Sequence, residues 1–245
     1  MSDSPTGGAG SLQANVERYP WYHTLDLGEG VVTPGMFDHR PVLQHYPIPE
    51  DLTGMRCLDV ATMDGYWAFE MERRGAASVT AIDLEDPAQL DWPASLRPGH
   101  DKSLDETKAE RFALAKEALG SKVERVLLSA YDLAPDLGMF DFVFCGDLLL
   151  HVKDPITPVE RIHSVCTGSA VIVNVIKKFR MHEKRPMAEL DGIDVFEWWV
   201  TNLAGLERIV RSAGFDRVEV ADTFELPFST GGPWRGLRGA VRAYA

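Results

Sequence analysis

Apolar residues recur along the chain in short continuous runs separated by stretches with helical spacing. Cys57–Ala61, Ser78–Leu84, Val123–Ala130, Phe140–Asp147 and Ser169–Ile176 read as five strands. Continuous apolar runs suit strands buried on both faces of a parallel sheet. Between them lie helical patterns: one after Gly65, one over 103–119 and one from Thr157. Ser103 and Glu106 form a capping box for the second, with Leu104, Phe112, Ala115 and Leu119 inward and Gly120 as its stop. Thr157 and Glu160 form another, with Val159, Ile162 and Cys166 inward. A last helix begins at Thr201, turns Leu203, Leu206 and Val210 inward, and stops at Gly214. Val218–Phe224 and Arg235–Tyr244 close the chain as two more strands. Strands alternating with helices predict an α/β fold. No internal repeat is visible.

The stretch Cys57-Leu58-Asp59-Val60-Ala61-Thr62-Met63-Asp64-Gly65-Tyr66-Trp67 is a strand that turns at Gly65 into a helix. Ser78–Leu84 then brings Asp83 to the end of a second strand, 83 − 65 = 18 residues after the glycine. That is close to the roughly 20 residues expected before a ribose-binding carboxylate. A dinucleotide needs glycines so that the backbone can approach a pyrophosphate. Ala61 and Met63 stand there instead, and Asp64 would repel a diphosphate. S-adenosylmethionine, which has no phosphate and carries a cationic sulfonium, an ammonium and ribose hydroxyls, fits better.

With these residues the chain resembles class I S-adenosylmethionine-dependent methyltransferases, although only Gly65 of the usual glycines is present. The resemblance implies a Rossmann-like seven-stranded sheet with the seventh strand inserted antiparallel. It also implies a cofactor site at Asp59, Ala61, Asp64, Gly65, Asp83, Leu84 and Cys145. Tyr131 and Asp132 follow the third strand, where the family meets the adenine amino group, although Asp also favours an Asx turn.

The phrase Trp21–Leu27 and Val31–Asp38, with the first motif, resembles the branch that includes the bacterial wobble-uridine tRNA carboxymethyltransferase, over roughly residues 20–175. The Lys- and Arg-rich segment preceding that phrase in the tRNA enzyme is missing. Its carboxylated cofactor and its tRNA are therefore not carried over.

Residues 1–15, rich in Ser, Gly and Ala, are expected to be disordered. Residues 16–50 are expected to cover the site, with Tyr22 and His23 facing the acceptor. The remainder, 51–245, forms the methyltransferase domain, with 177–200 as an acceptor-side insertion carrying Trp198 and Trp199. The run Lys177–Arg185 is strongly basic and reads as a solvated loop or as an entrance for an acidic or hydroxyl-rich acceptor.

Ligands of open α/β sheets sit outside the carboxyl ends of the strands, so Asp147 and His151 should border the transferred methyl. His151 is the expected general base for a hydroxyl acceptor. The pair could instead hold a divalent ion such as Mg²⁺ on a sugar diol. No third ligand is identified, so no metal is expected.

Composition narrows the partners. The 245 residues carry a net charge of −12, which disfavours a nucleic-acid substrate. Cys57, Cys145 and Cys166 show no C-x-x-C spacing and read as buried thiols. No signal-peptide pattern and no run of 18 apolar residues is present, so a cytoplasmic protein without a membrane partner is expected. The expected activity is O-methylation of a small hydroxylated acceptor such as a sugar or natural product. The open alternatives are C-, N- or RNA-base methylation and a silent cofactor-binding protein. A homodimer is also left open.

Overall fold

The computed structural model describes residues 9–96, 106–178, 182–193, 195–231 and 235–245. The first element is α1 (Ala9–Val16), followed by β1 (Trp21–His23) and β2 (Gly35–Phe37). The domain proper runs β3 (Arg56–Val60), α2 (Tyr66–Arg73), β4 (Ser78–Asp83), α3 (Lys108–Leu119), β5 (Glu124–Leu127), β6 (Phe140–Gly146), α4 (Thr157–Val165) and β7 (Cys166–Val175). A small pair, β8 (Ala188–Leu190) and β9 (Trp199–Thr201), precedes α5 (Leu203–Ser212), β10 (Arg217–Pro227) and β11 (Arg235–Tyr244).

Seven strands form the main sheet in the order β10-β11-β7-β6-β3-β4-β5. The five from β3 to β7 are parallel, and β11 enters antiparallel between β7 and β10. This is the expected Rossmann-like sheet with its seventh strand reversed. Side chains alternate between two cores. Phe142, Phe144, Val171 and Val173 face α2, α3 and the N-terminal segment. Val143, Cys145, Ala170 and Ile172 face α4 and α5. The chain reverses direction across the sheet between β3 and β6, and a crevice opens there at the carboxyl ends.

The N-terminal segment is folded onto the first core. Trp21 is buried and its indole N–H donates to the Val16 carbonyl at 2.9 Å. β1 and β2 run parallel and so close that a Cβ on Gly35 would lie 2.1 Å from the His23 carbonyl carbon. Only glycine permits that approach. Phe37 stacks on Phe228 at 5.0 Å between ring centroids, tying the segment to the loop after β10.

Several local expectations are corrected. Residues 1–8 of the stretch expected to be disordered lie outside the described residues, and 9–15 belong to the helix Ala9–Val16, because fully buried Val16 and part-buried Leu12 pack into the first core. Ser103 and Leu104 lie outside the described residues; α3 starts after Thr107, and Leu119 is 39% exposed. Thr157 is the first residue of α4 and not its cap; the N-cap is Ile156, and Asp154 just before it accepts from the Ile156 and Thr157 amides at 3.0 and 3.2 Å. Cys166 opens β7 rather than facing inward from a helix. Thr201 ends β9, and Asn202 caps α5 by accepting from the Gly205 amide at 2.8 Å. All three thiols are buried and free, and burial pushes Cys57 up to about 12.

Candidate active site

The crevice is a cavity of about 270 Å³. Its borders include Ala61, Met63, Asp83, Leu84, Lys108 and Tyr131, and also Tyr22, His23, His39, Asp147 and His151.

The turn between β3 and α2 is glycine-poor yet glycine-shaped. Ala61, Met63 and Gly65 have φ of 62°, 52° and 96°. Each non-glycine residue in that region costs about 1–2 kcal/mol, and such strain concentrates at functional sites. Gly65 could not be replaced: its φ is positive and a Cβ would meet Phe69 at 2.4 Å.

Asp83 borders the cavity. Its Oδ2 accepts from the Met63 amide, and its Oδ1 from the Leu84 amide and the buried Lys108 ammonium, each at 2.7 Å. An ionised carboxylate offers about four acceptor positions, so one remains for an incoming hydroxyl. Leu84 and Tyr131 border the cavity too, and Tyr131 is fixed by donating to Asp91 at 2.7 Å.

The other expected cofactor residues do not border the cavity. Asp59 lies beneath the turn, 1% exposed, accepting from Thr62 Oγ1 at 2.6 Å. Burial pushes its carboxyl up to about 7. Gly65 is covered by Phe69 and Phe112. Cys145 falls on the α4–α5 side of β6 by strand alternation. Asp132 is exposed, in a turn closed by its amide on the Ser129 carbonyl.

Asp64 is fully buried and points into the N-terminal segment instead. Its Oδ2 accepts from the Tyr22 and His23 amides at 2.8 and 3.1 Å, and its Oδ1 pairs with His23 Nδ1. Arg111 lies 3.6 Å away. Burial raises its carboxyl, but the His23 and Arg111 charges outweigh that and hold it below the usual range. The repulsion expected from Asp64 toward a diphosphate is therefore largely compensated.

Asp147 leaves β6 with φ of 47°, a third non-glycine residue in the left-handed region beside the cavity. Arg238, 1% exposed, grips its Oδ2 through Nε at 3.1 Å and Nη2 at 3.0 Å. Four residues on, His151 Nδ1 donates to the Phe196 carbonyl at 2.5 Å. That bond fixes the tautomer and leaves Nε2 with its lone pair. Burial holds His151 below the usual imidazole range, against the opposing pull of the Phe196 carbonyl and Asp147, so the ring is neutral near pH 7.

Tyr22 and His23 border the cavity, and Trp198 and Trp199 do not. Their indole N–H groups donate to the Asp91 and Lys153 carbonyls, holding the segment around Phe196 in place. Phe196 borders the cavity itself and stacks on Trp92 at 3.9 Å.

Sequence reasoning missed Lys108, Arg111 and Arg238, which sit in ordinary helix and strand patterns that give no signal. It also missed His39, Tyr46 and Trp67. For the first two a signal existed, since the segment that supplied Tyr22 and His23 is equally rich in aromatics and histidines. Among the described residues no group of three or more His, Cys, Asp or Glu is arranged to hold a metal, and no helix is long and apolar enough to cross a membrane.

Known proteins resemble this chain in sequence and fold. A family model described as a methyltransferase domain matches residues 40–220. The tRNA U34 carboxymethyltransferase of Ectopseudomonas mendocina (strain ymp) is 27% identical over 179 residues, 70% of this chain. This chain spans about half of that relative, 48% of its length. Among solved structures, the N-terminal domain of EvdMO1, crystallised in the presence of SAH and D-fucose, superposes with a TM-score of 0.62 at 15% identity, with both chains fully covered. Against whole EvdMO1 the chain covers 49% of that protein. An S-adenosylmethionine-dependent methyltransferase from Mesorhizobium loti gives 0.51 at 16% identity, over 84% of this chain and 97% of that one. At these identities the structural likeness speaks for the fold alone.

Proposed function

The chain belongs to the methyltransferase family of that domain model, and on this premise we propose that it methylates a hydroxyl oxygen of a small polyhydroxylated acceptor, with His151 taking the proton. S-adenosylmethionine is its methyl donor, supplying a methyl group already activated on a sulfonium. The residues fit it: Asp83 keeps one acceptor position for a ribose hydroxyl, and Leu84 and Tyr131 offer a wall for the base. The rest of the work is alignment, which suits a cavity built from rigid strand ends.

The observation that carries the oxygen-directed reading is His151. A neutral imidazole whose Nδ1 is committed to a backbone carbonyl presents Nε2 as a base and nothing else. An alcohol oxygen needs that base as it attacks, because its proton must leave while the new carbon–oxygen bond forms. The D-fucose in the EvdMO1 domain's crystals is in keeping with a sugar-like acceptor.

The donor is tested by calorimetry. S-adenosylhomocysteine should bind in the micromolar range, about −8 kcal/mol, and NAD should not bind. Asp83→Asn should weaken that binding by about 1.5–3 kcal/mol. The reverse ligand preference would end this reading, and an unchanged dissociation constant would remove Asp83 from the site.

A tRNA acceptor is the competing reading, raised by the curated relative. The net charge of −12 opposes it, and two lysines of the basic run are already paired, Lys177 with Glu189 at 3.0 Å and Lys178 with Glu225. Fluorescence anisotropy at moderate salt should show no submicromolar tRNA binding. Tight binding that weakens steeply with salt would favour the RNA reading instead.

A further inference from the structure

We propose that Lys108 is a cofactor-binding residue: its ammonium donates to one ribose hydroxyl of S-adenosylmethionine, while Asp83 accepts from the other. This contact rests on S-adenosylmethionine being the methyl donor, as assigned above, and adds a residue to the way the site reads it.

Lys108 is costly where it stands. It is the first residue of α3, where a cation meets the unfavourable end of the helix dipole. Its side chain is 2% exposed. Lysine is almost never fully buried unless its charge is paired, and buried donors need acceptors. An ammonium has three N–H donors. Lys108 Nζ uses one, on Asp83 Oδ1 at 2.7 Å, and has no other hydrogen-bond partner among the described residues. Two donors remain on a buried ammonium, and both Lys108 and Asp83 border the cavity.

The bonds of Asp83 show what those donors meet. Oδ1 takes two, from the Leu84 amide and from Lys108, so its positions are filled. Oδ2 takes one, from the Met63 amide. With about two positions on each oxygen, Asp83 can receive a single hydroxyl, and on Oδ2. A ribose brings two hydroxyls, side by side on neighbouring carbons. A carboxylate with both oxygens free could accept from both of them. Here the second hydroxyl finds Oδ1 occupied, and the group that occupies it is a cation with donors to spare. A hydroxyl oxygen accepts as well as donates, so it can turn its lone pair to Lys108. One hydroxyl is then read as a donor and its neighbour as an acceptor. The same arrangement supplies the buried ammonium with a further acceptor, which the protein does not give it.

The competing role for Lys108 is to steady Asp83 without touching the ligand, and a double-mutant cycle separates the two. Calorimetry with S-adenosylhomocysteine is read on the wild type, Lys108→Met, Asp83→Asn and the double variant, each checked for folding by its melting curve. Methionine keeps an unbranched stem and carries no donor. Lys108→Met should weaken binding about 10- to 100-fold, the range for a hydrogen bond from a charged group. In the Asp83→Asn background it should still weaken binding, by about 5-fold or more. Lys108→Gln, which keeps an N–H donor, should recover part of the loss. Analogues of S-adenosylhomocysteine without the 2′- or the 3′-hydroxyl test the wild type directly, and each should bind about 10-fold more weakly than the parent. A Lys108→Met protein that binds like the wild type would overturn the contact and leave the donor standing. No further loss in the Asp83→Asn background would overturn it in favour of the steadying role. A deoxy analogue that binds the wild type as tightly as the parent would also overturn it, since each hydroxyl is assigned a partner of its own. A wild type that binds no S-adenosylhomocysteine would overturn the donor and this contact together.

Discussion

His151→Ala is expected to lower kcat by about 10²–10⁴-fold, or roughly 3–5.5 kcal/mol of barrier, the usual contribution of a positioned base. The affinity for S-adenosylhomocysteine should stay nearly unchanged, because Nε2 is assigned to the acceptor and not to the donor. Two features of the ring make the expectation specific. The Phe196 carbonyl holds Nδ1–H, so rotation or tautomer exchange cannot supply a second base from the same side chain. Burial holds the imidazole below its usual range, so the reactive neutral form prevails at pH 7. The rate of the wild-type enzyme should therefore rise with pH through a midpoint below the ordinary imidazole value, and the variant should lack that limb. The sign for stability agrees. A histidine whose folded pKa is depressed adds stability above its unfolded value, and that stability is lost as pH falls. Near-native turnover in a folded His151→Ala protein would sink the assignment, and His23, which also borders the cavity, would become the base to test. A variant that melts early but turns over normally per folded molecule would reduce His151 to packing.

The sheet was legible because buried parallel strands write themselves as continuous apolar runs, and Cys57–Val60, Val79–Asp83 and Phe140–Gly146 do so plainly. The reversed seventh strand was not in that pattern; the family resemblance supplied it. Around the site, residues at strand ends were found because the end of a strand is a place that a sequence marks: Asp83, Leu84, Asp147 and Tyr131 all border the cavity. Direction was not marked. Asp64 and Asp83 look alike in the sequence, yet one faces the cavity and the other turns beneath the N-terminal segment. What separates them are the partners Lys108, Arg111 and His23, brought in from 25 to 47 residues away by packing of α3 and β1. Trp198 and Trp199 misled for a related reason. Their rings suggest stacking, but each N–H is used to brace the segment that carries Phe196. Glycine scarcity in the first turn understated the match as well, since Ala61 and Met63 adopt the dihedrals that glycine usually supplies.

Asp64→Ala is expected to be the most damaging substitution for stability, by about 3–5 kcal/mol, the range for removing one partner of a buried ion pair. The carboxylate is fully buried and is met from three sides: by the Tyr22 and His23 amides, by the His23 ring and by Arg111. Its loss leaves two buried amides without their acceptor and the buried Arg111 without this counter-charge. For a chain of this size the melting temperature should drop by roughly 6–20 °C. The effect should begin locally, because the bonds that are lost join the N-terminal segment to the first turn of the domain. Hydrogen exchange in residues 21–37 should accelerate under conditions where β6 and β7 remain protected. The pH dependence has the sign of a depressed carboxyl. The stabilisation is present above the unfolded aspartate value and is lost as pH falls through the lower folded one, so the wild type should soften in acid while Asp64→Ala shows less of that slope. Asp64→Asn separates this role from a cofactor contact. It keeps one acceptor for the amides and removes the charge, so it should melt between wild type and Asp64→Ala while binding S-adenosylhomocysteine about as well as the wild type. An Asp64→Asn protein with wild-type melting and exchange but a dissociation constant raised tenfold or more would return Asp64 to the cofactor site and show that the N-terminal segment is held by other contacts.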